Sequence, residues 1–195
     1  ILAAVLAVCG WLCRTRKKRE YRRSEYRAET GKRYKKVENS PGTEGEYQTS
    51  LALEKRVRGN RRFVFNAYIP CRSGGSTETD IVMIHEKGIF VIQSGRRQTF
   101  YSPVYQNLGH VRHIRRLLEE RGYRLPMVSV VVFNDRLERL QVRRKGRDVI
   151  VCRSRRAPGA INRRLRRMER VLGERELEEV YEILKEQTSP FWWVR

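Results

Sequence analysis

The chain has 195 residues, 39% of them apolar, with 43 Lys and Arg against 22 Asp and Glu for a formal charge of +21. The apolar share is enough for a real core, so a wholly disordered basic tail is excluded. Like charges in such excess repel in the compact state, so the balance points to a polyanion, either nucleic acid or an anionic membrane surface. A solvated basic face with no specific partner is the plainer alternative. The four cysteines, Cys9, Cys13, Cys71 and Cys152, form no CxxC pair and complete no zinc site. They read as small apolar side chains in a reducing compartment.

Residues 1–13, ILAAVLAVCGWLC, carry no charge. As a helix they would span about 20 Å, short of a hydrocarbon core of ~30 Å. The simplest account is a transmembrane helix already under way where the numbering starts, with a signal-peptide core as the competitor. The basic run RTRKKREYRRSEYR follows, with Trp11 at the boundary. Such a flank stays on the cytoplasmic side. The expectation is therefore a single-pass membrane protein with its soluble domain in the cytoplasm. Residues 14–40 read as a charged juxtamembrane segment, partly helical or disordered, able to meet anionic headgroups.

Ser40-Pro41-Gly42 is a break. Thr43 is a good N-cap with Glu46 three residues on, as in a capping box, and Leu51, Leu53 and Val57 give an apolar stripe. RFVFNAYIP reads as a strand and CRSGGST as a loop. ETDIVMI and IFVIQS are hairpin strands about His85-Glu86-Lys87-Gly88. Ser102-Pro103 opens a helix carrying Leu108, Val111, Ile114, Leu117 and Leu118, with Gly122 beyond its end. MVSVVVF is a nearly unbroken β-branched run, the mark of a strand buried on both faces. DVIVC is a short strand, Pro158 starts a helix, and residues 174–187 carry Leu177, Val180, Tyr181 and Leu184 at helical spacing. This order implies an α/β fold, a mixed sheet covered by helices.

Phosphodiester cleavage is commonly solved with Mg²⁺ held by oxygen ligands. A strand-borne carboxylate and an acid-x-Lys pattern on a neighbouring strand would build such a site, because residues i and i+2 share a face. GTEGE at 42–46, TETD at 77–80, EKGIFVIQS at 86–94 and SPVYQN at 102–107 together resemble the NERD, or nuclease-related, domain of the PD-(D/E)xK nuclease superfamily. The resemblance runs from about Pro41 to Val132. It implies a restriction-endonuclease-like mixed sheet flanked by helices, here behind the truncated membrane helix. It divides the chain into 1–13, 14–40, a nuclease-related domain at 41–157 and a helical extension at 158–195. By position it implies a catalytic set of Glu46, Asp80, Gln93 and Gln106, with Glu46, Asp80 and Gln93 holding Mg²⁺ or Mn²⁺ if the site is active. Two departures weaken that set. Gly95 stands where the family has lysine, and only Gly95 to Tyr101 remain of a longer stretch. Glutamine offers a metal one neutral oxygen and no charge. Each residue also has a plainer reading: Glu46 as a cap, Asp80 as a strand end, Gln93 as a partner for backbone, Gln106 as an exposed helix residue.

For the nucleic-acid surface, RRLRRMER at 163–170 supplies Arg163, Arg164, Arg166 and Arg167 around apolar Leu165 and Met168, while Arg96, Arg97, His110 and Arg112 lie nearer the hairpin. Arginine matches phosphate through its planar fork, and no base-reading motif is present. Binding to backbone, DNA in the first instance, is expected. His110 and His113, spaced i and i+3 without matching acids, read as a wet or phosphate-facing pair and not a zinc site. Three functions follow: a membrane-tethered nuclease with a divergent or impaired site, a non-catalytic nucleic-acid-binding module, and a binder of anionic lipid.

Overall fold

A computed structural model of the chain describes residues 2–72, 74–95, 102–135 and 146–188. Its centre is a five-stranded mixed sheet in the order β1-β2-β3-β4-β5, formed by β1 (Arg61–Pro70), β2 (Ser76–His85), β3 (Gly88–Gly95), β4 (Met127–Phe133) and β5 (Val149–Arg153). The first three strands are antiparallel neighbours, and β3, β4 and β5 run parallel. Every residue of β4 is buried, as its nearly unbroken β-branched run suggests.

Seven helices flank the sheet among the described residues: α1 (Leu2–Arg23), α2 (Glu25–Thr30), α3 (Tyr34–Glu38), α4 (Pro41–Arg56), α5 (Pro103–Glu120), α6 (Ala157–Leu165) and α7 (Glu174–Lys185). Alternation along the strands splits the core in two. Phe63, Phe65, Ile81, Met83, Phe90, Ile92 and Val130 pack with Tyr47 and Leu53 of α4 and Ile161 of α6. Val64, Val82, Ile84, Ile89 and Val91 pack with Ile114 and Leu118 of α5 and Leu177 and Leu184 of α7. The expected mixed sheet covered by helices is what forms.

The hairpin turn needs Gly88. Its φ is 136°, and a Cβ there would lie 2.5 Å from the Pro126 carbonyl oxygen that accepts the Ile89 N–H. Alternation breaks once, at Asn66. Phe65 belongs to the first core and Ala67 to the second, and Asn66 between them has φ 53°. Asparagine tolerates this left-handed conformation better than most residues. The ladder pairs Phe65 with Ile81 and Ala67 with Thr79, so the step skipped on the partner strand is Asp80.

Two expectations are corrected by the packing. The cap of α4 is Ser40 with Pro41 at the first turn, and the Thr43 hydroxyl donates to the Ser40 hydroxyl, so no capping box involves Glu46. Proline's fixed φ favours the first helical position, which moves the start three residues earlier. Glu46 therefore sits in the second turn and faces inward. The basic stretch after Cys13 is also more ordered than a tether. Tyr21, Tyr26 and Val37 are buried in the first core, and Tyr21, Tyr26, Tyr34, Tyr47 and Phe65 form a ring cluster with centroids 5.0–5.8 Å apart. Helix α1 takes in the apolar and basic runs alike. Among the described residues no helix is long and apolar enough to cross a membrane, because α1's apolar part stops at Cys13 and Arg14 to Lys18 continue the same helix. The membrane-spanning element expected at the head of the fold is not found among them.

Candidate active site

The ladder between β2 and β3 ends at the pair Ile81–Ile92, while β3 continues beside β4 to the pair Gly95–Phe133. Asp80 stands at this parting. Its Oδ2 accepts from the Ser94 N–H at 2.8 Å, the Ser94 hydroxyl at 3.0 Å and Gln93 Nε2 at 2.8 Å. The carboxylate thus takes over the backbone donor freed where the two strands diverge. Burial pushes the Asp80 carboxyl up, against the pull of these donors.

Glu46 reaches the same place from α4. Its Oε2 accepts from the buried Tyr26 hydroxyl at 3.1 Å and lies 3.9 Å from Lys32 Nζ. Burial raises its carboxyl to about 7, and the neighbouring Asp80 carboxylate pushes in the same direction; Lys32 and the Tyr26 hydroxyl pull it back. Two partly buried carboxylates lie near one another with one ammonium beside Glu46. Gln93 adds an unusual atom: Oε1 is buried without a hydrogen-bond partner. Turning the amide over would set that oxygen against the Asp80 carboxylate. A buried carbonyl left unpaired costs about 1–3 kcal/mol.

Of the four catalytic candidates, Glu46, Asp80 and Gln93 are brought together. Gln106 lies in the first turn of α5, on the face opposite α4, and among the described residues no hydrogen bond joins it to the other three. Its neighbour Asn107 carries the structural weight of the SPVYQN segment. Fully buried, Asn107 Nδ2 donates to the Val91 carbonyl at 2.8 Å, the Ser129 hydroxyl at 2.8 Å and the Val130 carbonyl at 3.2 Å, pinning α5 across β3 and β4. Sequence reasoning also missed Tyr26, Lys32 and Ser94. The signal for Tyr26 was present: tyrosines at 21 and 26 inside a run of arginines have no solvated purpose.

The basic residues divide. Arg163, Arg164 and Arg167 of the α6 region line a groove of about 860 Å³ beside β5, joined by Arg147 and Arg156. Arg164 is partly engaged by an ion pair with Asp148. Arg166 is exposed but outside this groove, and Arg112 is exposed on α5, the other side of the sheet. Arg96 and Arg97 lie outside the described residues. His110 is a correction. Only 2% exposed, with Nδ1 unpartnered and its pKa lowered by burial to about 4, it faces the interior uncharged and presents nothing to a phosphate. The 3.6-residue period that carries Ile114 and Leu117 inward carries His110 with them.

No group of three or more His, Cys, Asp or Glu side chains suited to a metal ion occurs among the described residues. The centre offers two carboxylates and an amide carbonyl.

Comparison with known proteins bears on the same stretch. Residues 41–134 match the model of the NERD family, described as nuclease-related domain. No curated protein matches the chain. Among solved structures, the small subunit of the heterodimeric restriction endonuclease R.BspD6I is similar at 13% identity with a TM-score of 0.38, covering 77% of this chain and 85% of that one. The stretch that carries Glu46, Asp80 and Gln93 thus lies within the part of the chain that matches the nuclease-related domain.

Proposed function

We propose that the chain processes nucleic acid, holding the phosphate backbone along its arginine-lined groove and hydrolysing phosphodiester bonds, with a divalent cation, at the centre formed by Glu46, Asp80 and Gln93. The observation that carries the reading is the direct Gln93–Asp80 hydrogen bond across the end of the hairpin, with the partly buried Glu46 carboxylate alongside.

Support for Mg²⁺ or Mn²⁺ comes from the donor set. Hard cations take carboxylate and carbonyl oxygens, and this centre combines two mutually repelling carboxylates with the orphaned Gln93 Oε1. Glu46, Asp80 and Gln93 would hold the ion, which when bound polarises the phosphate and makes water a stronger nucleophile. The protein's own contribution is placement. The Tyr26 hydroxyl fixes one oxygen of Glu46, and Ser94 fixes Asp80 through backbone and side chain. Five arginines beside β5 bind backbone charge without reading bases.

The test is nicking of supercoiled plasmid with Mg²⁺ or Mn²⁺, comparing the protein with Asp80→Asn. Asparagine keeps an oxygen that can accept from Ser94, whereas alanine would strip the acceptor of three hydrogen bonds and confound chemistry with folding. Loss of nicking by about 100-fold with unchanged DNA binding supports the reading. Salt-dependent binding with no nicking under either metal would replace it with a non-catalytic nucleic-acid-binding module.

A membrane role rests on a separate observation. Val5, Leu6, Val8, Trp11 and Leu12 of α1 are half to two-thirds exposed, directly ahead of the basic run. Such a patch favours an apolar environment bordered by anionic headgroups, and we retain membrane attachment, with the domain on the cytoplasmic side, as part of the proposal. Flotation with anionic vesicles, lost on replacing Leu6, Trp11 and Leu12 by serine, checks it.

A further inference from the structure

We propose that Lys32, outside the stretch matched to the family, supplies the cationic group of the candidate active site, filling the role that Gly95 leaves vacant. The inference rests on the hydrolytic reading above.

The turn that carries Lys32 is fixed on both sides. Gly31, with φ 63°, ends α2 and donates its N–H to the Arg27 carbonyl. The Lys32 N–H bonds the Thr30 hydroxyl at 3.4 Å, and its carbonyl accepts from the buried Tyr21 hydroxyl at 2.6 Å. The side chain runs over the Tyr26 ring, Nζ 5.7 Å from its centroid, and ends 3.9 Å from Glu46 Oε2. Among the described residues it is the only cation within 4 Å of Glu46, and Asp80 has none.

The geometry is not that of a closed structural pair. Tyr26 already donates to the Glu46 oxygen that Lys32 faces, and Nζ stands beyond hydrogen-bond distance of it. Among the described residues its one contact within that range is the Tyr26 hydroxyl at 3.4 Å. An ammonium has three N–H donors, so Lys32 retains donors for a ligand. With its side chain a quarter exposed, it is open to one. A compact, partly exposed ammonium beside the carboxylates is placed to meet negative charge arriving from outside.

In hydrolysis the oxygen of water bonds to phosphorus and the bond to the leaving oxygen breaks. One proton of the water passes to that oxygen and the other remains with the new phosphate group. Lys32 stays an ammonium throughout and stabilises the charge that builds on the phosphate oxygens. Removing one such preorganised donor typically slows a reaction about 10²–10³-fold.

The experiment compares the full chain with Lys32→Met, Lys32→Arg and Lys55→Met, the last removing a surface lysine paired with Glu20. Plasmid nicking, Mn²⁺ affinity by calorimetry with the metal alone, and thermal unfolding are measured on each. Expected for Lys32→Met is nicking slowed at least 100-fold while Mn²⁺ binds several-fold tighter, because a cation that repels the metal ion is gone. Lys32→Arg should recover part of the rate, and Lys55→Met should change neither. A purely structural lysine would lower rate, metal affinity and melting temperature together, which would overturn the proposal. So would wild-type nicking by Lys32→Met. A wild-type chain that neither nicks nor binds Mn²⁺ removes the hydrolytic reading itself, and the role of Lys32 with it.

Discussion

Replacing Glu46 by Gln should make the metal-free protein more stable above neutral pH and leave it unchanged in acid. The Glu46 carboxyl is raised from 4.5 to about 7 by burial and by Asp80. Between those values the folded protein binds more protons than the unfolded chain, so this group's contribution to stability falls as pH climbs from about 4.5 to about 7 and stays low beyond. At about 1.4 kcal/mol for each pH unit separating the two values, the ionised carboxylate costs up to about 3 kcal/mol at pH 8.5. Glutamine removes the charge, and its Oε1 still accepts from the Tyr26 hydroxyl. For a chain of this length, 1 kcal/mol moves Tm by about 2–4 °C, so the expected gain at pH 8.5 is roughly 6–12 °C. Urea unfolding at pH 4, 6, 7 and 8.5, with chelator present, measures the gap directly. Curves for wild type and variant that coincide at pH 8.5, or a less stable variant there, would refute the reasoning, because they would mean the Glu46 carboxylate is already fully compensated by Lys32 and Tyr26.

Asn107→Ala should cost about 3 kcal/mol in the same assay, since it strips the shared donor from two buried carbonyls and the Ser129 hydroxyl. Gln106→Ala, one residue away, should change stability by no more than about 0.5 kcal/mol and leave nicking intact. Arg163→Ala combined with Arg167→Ala should weaken binding to every DNA sequence alike and reduce the slope of log affinity against log salt by about 2. A loss confined to particular sequences would show that the groove reads bases.

The elements were legible because local chemistry dictates them. The β-branched run of β4, the Ser102-Pro103 start of α5 and the period of α7 each carry their own instruction. Where the sequence reading failed, two local rules competed or a distant partner intervened. Thr43 and Glu46 spell a capping box, yet Pro41 fits only the first turn, and Ser40 takes the cap. His110 shares a helix face with apolar residues, and burial overrides its polarity. Tyr21 and Tyr26 look stranded in a basic run until α4 and β1 arrive to cover them.

By itself the sequence determined the strand and helix order and the basic character, because these follow from composition and from spacing along each element; Asp80 and Gln93 were singled out by what the family resemblance implies. Only the tertiary structure decided that Glu46 lies beside Asp80 and that Tyr26 and Lys32 belong to the same centre. Those contacts join residues that share no period and no strand pair. They come from how the N-terminal helices pack across α4, and no local propensity encodes that.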